Sequence, residues 1–493
     1  MQNKTTNTLQ AFWVGLGQLS AFCISIISTI ILSRYFEKAD YGTYRQVIYI
    51  YQTLLVVFSV GLPKAFSYFL PRQNMNQGKD IVSKINKILF LTGFVFSIFL
   101  YFGASILASA LKNPELVTGI KLFSPVPMLL LPTLGIEGVF ATLRKTHFIA
   151  AYNISTRILM LMAVTLPVIL LGGDYKTAVY GWIVSSFLTF LFALYLKSLP
   201  YRNIEATKSV YSFKDIFAYT LPIMQASLYG IALNVANQFY ISRYFGPEEF
   251  AEYSNGFIEI PFVMMITGAA STVLTPLYAK HLHVENGIKV ITESWKNVLF
   301  KSALIIYPIV VFFMFYAKEI MLVLYGDKYL ASGLYFNIAI VMNFFDIIII
   351  GSLLFAMGET KFYARLFLIS VLILWSVDFI LVKLFINPYL IAISFVVLRI
   401  FRTFIFLSFI AKKLETNFYE LFPLRMFAII IGHALAVIVP IKIITTYYGL
   451  DVSLIIELNM SFVIFVMLLL LSQKIVGFNY LLTAKELIGS LKK

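Results

Sequence analysis

Cysteine, histidine and charge are all scarce in this chain. Of its 493 residues one is cysteine and four are histidine. A single thiol closes no internal disulfide and builds no metal cluster, so Cys23, inside the first apolar run, reads as a small packing residue. His281-Leu282-His283 has no cysteine and no spaced carboxylates beside it and reads as a solvated loop; His147 and His433 stand alone. No glycine-rich loop ends in Lys-Ser or Lys-Thr, which excludes a built-in ATPase. No enzyme constellation appears, and no metal site is expected. Charged residues are 13% of the chain, about half the ~25% of a soluble domain. Extended polar segments are also missing. The longest polar stretches are 72–84, 199–214 and 280–296, and none could hold a folded domain.

What the chain has in excess is apolar surface. Hydrophobic residues make up 60% of it, against about 45–50% in a soluble domain. They fall mostly in runs of about 20 residues, the length that crosses a hydrocarbon core of ~30 Å. The first run, 10–32, is too long for the core of a cleaved signal peptide. The expected fold is therefore an all-α integral membrane protein. Fourteen spans fit, near 10–32, 45–70, 85–109, 116–140, 148–172, 177–197, 215–241, 253–279, 297–317, 333–357, 363–386, 388–411, 424–447 and 452–473. Asn387-Pro388 is the thinnest of the boundaries between them.

The net charge of +15 raises the question of nucleic acid, but the basic residues lie in short clusters between apolar runs and form no basic face. No nucleic-acid partner is expected; the excess reads as topology and contact with anionic lipid. With a cytoplasmic N-terminus, the inner side collects Lys4, the Arg72–Lys87 group, Arg144, Lys145, the Lys197–Lys214 group and the Lys280–Lys301 group. It also collects Lys361, Arg365, Lys412, Lys413, Arg425, Lys474, Lys485, Lys492 and Lys493. That is about two dozen cations against about eleven outside, a positive-inside bias that puts both termini in the cytoplasm.

One motif occurs twice. Ser33-Arg34-Tyr35-Phe36 precedes Asp40-Tyr41-Gly42-Thr43-Tyr44, and Ser242-Arg243-Tyr244-Phe245 precedes Phe250-Ala251-Glu252-Tyr253. Phe140-Ala141 through Ile154-Ser155 and Phe355-Ala356 through Ile369-Ser370 match at an offset of roughly 215 residues. Spans 1–6 and 7–12 thus read as two copies, 1–205 and 206–415, with spans 13–14 and a tail, 416–493, as an appendage. A six-span unit ends on the side where it starts, so the copies run in the same sense, two parallel six-helix lobes around a central cavity.

Ionisable residues inside spans are costly and line cavities or pair with one another. Lys64, Arg157 and Arg399 are candidates for binding an anionic cargo, with snorkelling to water as the other reading. Glu259, Asp346 and Asp378 are candidates for ion coupling or for pairing between helices; Glu137 and Arg402 are close enough to span ends to snorkel. Arg34, Tyr35, Arg243 and Tyr244 read either as interfacial anchors or as an outer gate where the lobes meet. Prolines fall inside spans at 63, 125, 127, 132, 167, 261, 276, 308 and 440, with Pro222 opening span 7. Broken helices of this kind are tolerated beside cavities.

Leu32-Ser33-Arg34-Tyr35-Phe36 through Asp40-Tyr41-Gly42-Thr43-Tyr44, with Val60-Gly61-Leu62 closing span 2 and Gly358-Glu359-Thr360-Lys361 after span 10, resembles Wzx-type polysaccharide and O-antigen flippases. These belong to the multidrug/oligosaccharidyl-lipid/polysaccharide exporter (MOP) superfamily. The resemblance implies two six-helix lobes, a central cavity and movement of an undecaprenyl-diphosphate-linked oligosaccharide to the outer leaflet by alternating access, for polysaccharide, O-antigen or lipopolysaccharide export. It implies a bacterial inner membrane location, and as partners the lipid-linked oligosaccharide, membrane lipids and the polysaccharide polymerase machinery. It also implies that Lys64 and Arg157 lie near the diphosphate. Span 1 carries no charge, unlike the related peptidoglycan-precursor flippases, which counts against that cargo. No cofactor is expected; any pumping draws on a proton or sodium gradient or on a gradient of the cargo itself. The rival readings are an ion-coupled drug or small-molecule exporter of the same superfamily, a membrane glycan polymerase or ligase, and a relative that no longer transports. Basic residues in spans 2, 5 and 12 weigh against the exporter, and the short outer loops weigh against the enzyme.

Overall fold

The computed structural model describes residues 7–282, 284–448, 452–483 and 485. Lys4, His283, Lys492 and Lys493, used above, lie outside the described residues. The described part of the chain is overwhelmingly helical, with no strand among the described residues. It divides into two compact units, Met1–Ala251 and Glu252–Lys493. The boundary falls between the seventh and eighth expected spans, so the seventh packs with the first unit.

The first unit holds α1 (Asn7–Tyr35), α2 (Lys38–Phe58), α3 (Leu62–Phe69), α4 (Met75–Ala110), α5 (Leu116–Phe123), α6 (Val126–Leu130), α7 (Ile136–Thr142), α8 (His147–Leu171), α9 (Tyr175–Ser198) and most of α10 (Phe213–Gly256). The second holds α11 (Pro261–His281), α12 (Gly287–Phe315), α13 (Ala317–Tyr325), α14 (Ser332–Ile340), α15 (Asn343–Asp346), α16 (Ile350–Ala356), α17 (Thr360–Leu384), α18 (Pro388–Lys413), α19 (Phe418–Leu421), α20 (Leu424–Tyr448) and α21 (Leu454–Ser472). Among the described residues twelve helices are long and apolar enough to cross a membrane, and a thirteenth crossing forms if α2 and the segment Leu62–Arg72, bent by 44°, count as one. The 21-residue α11 stands where the eighth span is expected. The protein is a multi-pass, all-α membrane protein.

Breaks inside the crossings follow from glycine and proline. Between α2 and α3, Gly61 takes φ +68°, and a Cβ there would sit 2.7 Å from the Thr220 carbonyl oxygen. Pro63 then opens α3, where its missing N–H costs nothing. The fourth expected span is three pieces, α5, α6 and α7, interrupted at Pro125 and Pro132, with Pro127 in the first turn of α6. The tenth is also three pieces, α14, α15 and α16, starting at 332, 343 and 350 against 116, 126 and 136. The repeat therefore extends to where the helices break.

Three expectations shift. Span 8 is not continuous: Pro261 disfavours helix at Ile260, whose φ −86° and ψ 114° are extended, so α11 begins at Pro261 and Glu259 sits in the gap before it. Pro222 lies inside α10 and does not open it, because Ser212 and Asp215 form a reciprocal cap at Phe213. Of the polar stretches, 72–84 and 280–296 are mostly helix, since α4 starts at Met75 and α12 at Gly287. The third is a true connection tied down by α4: Lys79 Nζ donates to the Ile204 carbonyl at 2.7 Å, and Asp80 accepts from the Ser209 N–H at 2.9 Å. The Asn387-Pro388 boundary holds, with the Asn387 side chain accepting from the Tyr389 N–H at 3.0 Å.

Each unit has its own core. In the first, Leu62, Phe66 and Phe69 of α3 pack on Ile81, Ile85 and Leu89 of α4 and Val139 of α7. These spacings put one apolar face of α3 inward and leave its other face to line a cavity. In the second, Phe312 and Tyr316 at the end of α12 pack with Ile438 and Ile441 of α20 and Phe465 and Leu469 of α21.

Candidate functional site: a cationic cavity in the first unit

A cavity of about 710 Å³ opens in the first unit, and its wall carries Lys64 from α3 and Arg157 from α8. Both side chains are exposed into open space, and neither has an ion-pair partner among the described residues. Both follow from local sequence. The break at Gly61 and Pro63 restarts the helix so that Leu62 and Phe66 face the core and Lys64 faces away from it. Arg157 lies one turn after Asn153 on α8, and both point into the same cavity.

The rest of the wall is polar and aromatic. Gln52, Ser67, Thr133 and Thr156 add hydrogen-bonding groups, and α9 adds Ser185, Ser186 and Thr189. The Ser186 hydroxyl is buried without a hydrogen-bond partner among the described residues. Tyr51, Tyr152 and Trp182 supply ring faces, and the Trp182 indole N–H donates to the Tyr44 hydroxyl at 2.8 Å. Glu137 is the acid in this wall, held by the Asn153 amide at 3.4 Å. Two cations against one carboxylate leave the cavity net positive. Such a site accepts an oxyanion through charge-assisted hydrogen bonds and offers hydroxyls, amides and rings to a sugar.

Behind the wall stands a residue the sequence does not single out. Lys197 is 2% exposed, and its ammonium donates to the carbonyls of Pro132 (2.8 Å) and Leu134 (2.6 Å) and to the Asn86 side chain (2.9 Å). It satisfies the backbone oxygens freed where the fourth crossing breaks, just before Glu137. In the sequence Lys197 reads as one more inner cation at a span end. Its proximity to the α6–α7 break is a long-range fact with no local signal.

The second unit treats charge differently. Arg399 of α18, expected to bind cargo, is 2.7 Å from Asp346 and 3.3 Å from Glu259. Both acids lie at helix breaks, Asp346 at the end of α15 and Glu259 before Pro261. Asp378 of α17 is fully buried and accepts from the Ser394 hydroxyl at 2.5 Å; its second oxygen has no partner among the described residues. The Arg402 guanidinium stacks over Phe367 at 4.2 Å.

The repeated Ser-Arg-Tyr-Phe elements are well tied. Ser242 Oγ accepts from the Gln46 amide at 2.7 Å, and Asn113 donates to Gln46 Oε1 (2.6 Å) and Thr43 Oγ1 (3.0 Å). Gly42 lies so close to Pro247 that a Cβ would fall 1.9 Å from its carbonyl oxygen, so the two copies of the motif touch. Arg243 donates to the Ser109 and Ala110 carbonyls and so caps the C-terminus of α4. Tyr244 packs against Tyr240 and Lys112. The exposed Tyr35 hydroxyl donates to the Ile169 carbonyl at 3.3 Å, beside the exposed Arg34 at the end of α1.

Several solved structures share this fold. The lipid II flippase MurJ in an inward closed conformation superposes with a TM-score of 0.70 at 13% identity, covering 94% of this chain and 99% of that one. An inward-facing multidrug resistance MATE transporter of the MOP superfamily gives 0.62 at 13% identity, covering 80% and 94%. A MOP superfamily transporter from Pyrococcus furiosus gives 0.57 at 14%, covering 83% and 95%. No curated protein matches by sequence. The model of the polysaccharide biosynthesis protein family matches residues 31–333, well over half of the chain. The chain belongs to the polysaccharide biosynthesis protein family and has the fold of MOP-superfamily transporters.

Proposed function

We propose that the protein is a flippase that carries an undecaprenyl-diphosphate-linked oligosaccharide from the inner to the outer leaflet of a bacterial inner membrane, serving O-antigen or other polysaccharide export. The observation that carries this reading is the cavity with two cations lacking ion-pair partners, Lys64 and Arg157, set among hydroxyls and rings. A diphosphate supplies the counter-charge these cations lack, and the polar wall receives sugars. Transport proceeds by alternating access, with both termini cytoplasmic, as the Lys and Arg asymmetry supports. Asp378 is the group assigned to coupling with a proton or sodium gradient, because its second carboxylate oxygen has no partner among the described residues. A peptidoglycan precursor is a weaker candidate cargo, since α1 carries no charge before Arg34 at its end.

The exporter reading needs acids free to hold a cation. Asp346 and Glu259 are both engaged by Arg399, which leaves Asp378 as the acid with an unpartnered oxygen among the described residues and disfavours an acid-rich cation site. The test is export of surface glycan in cells whose own flippase is deleted. Restoration by this chain, lost in Lys64→Ala and Arg157→Ala at unchanged membrane levels, supports the reading. Drug resistance without glycan export would overturn it.

A further inference from the structure

A second cavity, of about 570 Å³, shares Lys64 and Ser67 with the first. Its remaining wall is Tyr68, Arg72, Tyr219 and Ile223, with no acid among these residues. Lys64, Tyr68 and Arg72 are four apart in sequence and so share one helical face, which continues from α3 through the short turn Leu70–Arg72. Eight residues at 1.5 Å rise separate Lys64 from Arg72 by ~12 Å along the axis. Arg72 closes the second crossing, on the side of the membrane from which α1 starts.

The arginine here is pre-ordered. Its guanidinium lies 3.8 Å from the centroid of the Tyr68 ring and donates to the Tyr68 carbonyl. Tyr68 in turn stacks on Tyr219 of α10 at 3.9 Å. A guanidinium has five N–H donors, so the carbonyl leaves most of them available. Arg72 is exposed, yet its guanidinium is folded back over the Tyr68 ring, and this partial ordering lowers the cost of binding. Neither Arg72 nor Lys64 has an ion-pair partner among the described residues.

We infer that Arg72, Tyr68, Tyr219 and Lys64 form a capture subsite for the phosphate-bearing headgroup of the lipid carrier, from which Lys64 passes the anion to Arg157. The inference rests on the flippase reading. It assigns Arg72 and Tyr219 a binding role ahead of the main cavity, with Lys64 as the wall common to both. The ligand chemistry is a phosphate oxyanion on a lipid headgroup, which a carrier diphosphate or an anionic phospholipid could supply.

The test uses the purified full chain in nanodiscs of neutral lipid, with undecaprenyl diphosphate as probe. A photo-crosslinking amino acid replaces Tyr219 to report occupancy of the subsite, and thermophoresis measures binding to the native chain. Crosslinking should rise in Arg157→Ala, where onward passage is blocked. It should fall at least about fivefold in Arg72→Ala and recover in part in Arg72→Lys. In the native chain, Tyr219→Ala should weaken binding by a smaller factor, since it loosens the stack and keeps the charge. Unchanged binding and crosslinking in Arg72→Ala, with binding lost in Arg157→Ala, would overturn the capture subsite and leave the flippase reading intact. Equal displacement of the probe by a matched amount of phosphatidylglycerol would also overturn it, making the site a general headgroup contact. No binding of the probe to the native chain would instead sink the flippase reading.

Discussion

The two units resolve the same problem, ionisable groups inside a membrane, in opposite ways. In the first, Lys64 and Arg157 face open space and find no carboxylate within ion-pair range among the described residues. In the second, Arg399 is clasped by Asp346 and Glu259. Under the proposed function, a cation kept without a partner serves the ligand, and a cation held by two acids serves the fold. Depth and residue type do not separate these cases. The partner does.

The largest expected effect breaks the comparison on the cavity side. Each charge-assisted contact is worth about 1.5–3 kcal/mol, so Lys64→Ala or Arg157→Ala should lower glycan export roughly 10- to 100-fold. Thermal stability in detergent should stay near that of the native chain. At position 64 an Arg restores more than a Gln, because charge is what the site uses. Surface-glycan staining and melting curves measure the two effects separately.

The opposite pattern is expected for Arg399→Ala. Removing one partner of a buried pair costs about 3–5 kcal/mol, and the figure is lower here because the Glu259 side chain is 52% exposed. The melting temperature and the amount of folded protein should drop. Adding Asp346→Asn should recover much of the loss by removing the stranded charge. A single Arg399→Ala that melts normally and loses only export would show that Arg399 binds cargo after all.

How much of this was legible in the sequence follows from the range of each signal. Apolar runs of spanning length gave the crossings, and glycine with proline gave the breaks near 61 and 132, because both act within a few residues. The repeat at an offset of roughly 215 showed in matched sequence segments, but the breaks that the fourth and tenth crossings share did not, since the tenth has no proline to mark them. Arg157 and Lys64 were legible as costly residues, and the family resemblance set both near one diphosphate; the hydroxyls and rings that share their cavity wall were not legible. Nor was the clasp on Arg399, whose partners are 53 and 140 residues away. The Lys64-Tyr68-Arg72 spacing was present in the sequence as a helical face. It was hidden by the break at Gly61, which obscures where that face begins.

Smaller effects sharpen the picture behind the wall. Lys197→Met leaves the Pro132 and Leu134 carbonyls and the Asn86 side chain without their donor, at a cost of about 1–3 kcal/mol. The melting temperature should fall by a few degrees, with a parallel loss of export as the α6–α7 break shifts. Export lost at native stability would make Lys197 part of the binding surface. The smallest effect is expected at the repeated motif. Arg243→Ala removes a helix C-terminal contact worth about 0.3–1 kcal/mol, and Tyr35→Phe removes one exposed hydrogen bond. Both variants should export within about twofold of the native chain. Loss of export in either at normal stability would favour the gate.

The central claim is that Lys64 and Arg157 face water and hold a diphosphate, and site-directed thiol labelling tests it most directly. The exposed Cys23 is first replaced in a Cys23→Ser background. Lys64→Cys and Arg157→Cys are then treated with a membrane-impermeant maleimide, with the buried Asp378→Cys as reference. Both cavity positions should label while the reference does not. Undecaprenyl diphosphate should slow the labelling of each by several-fold when the other cation is left in place. Cavity positions that label no faster than the reference, or that label at the same rate with and without undecaprenyl diphosphate, would contradict the account.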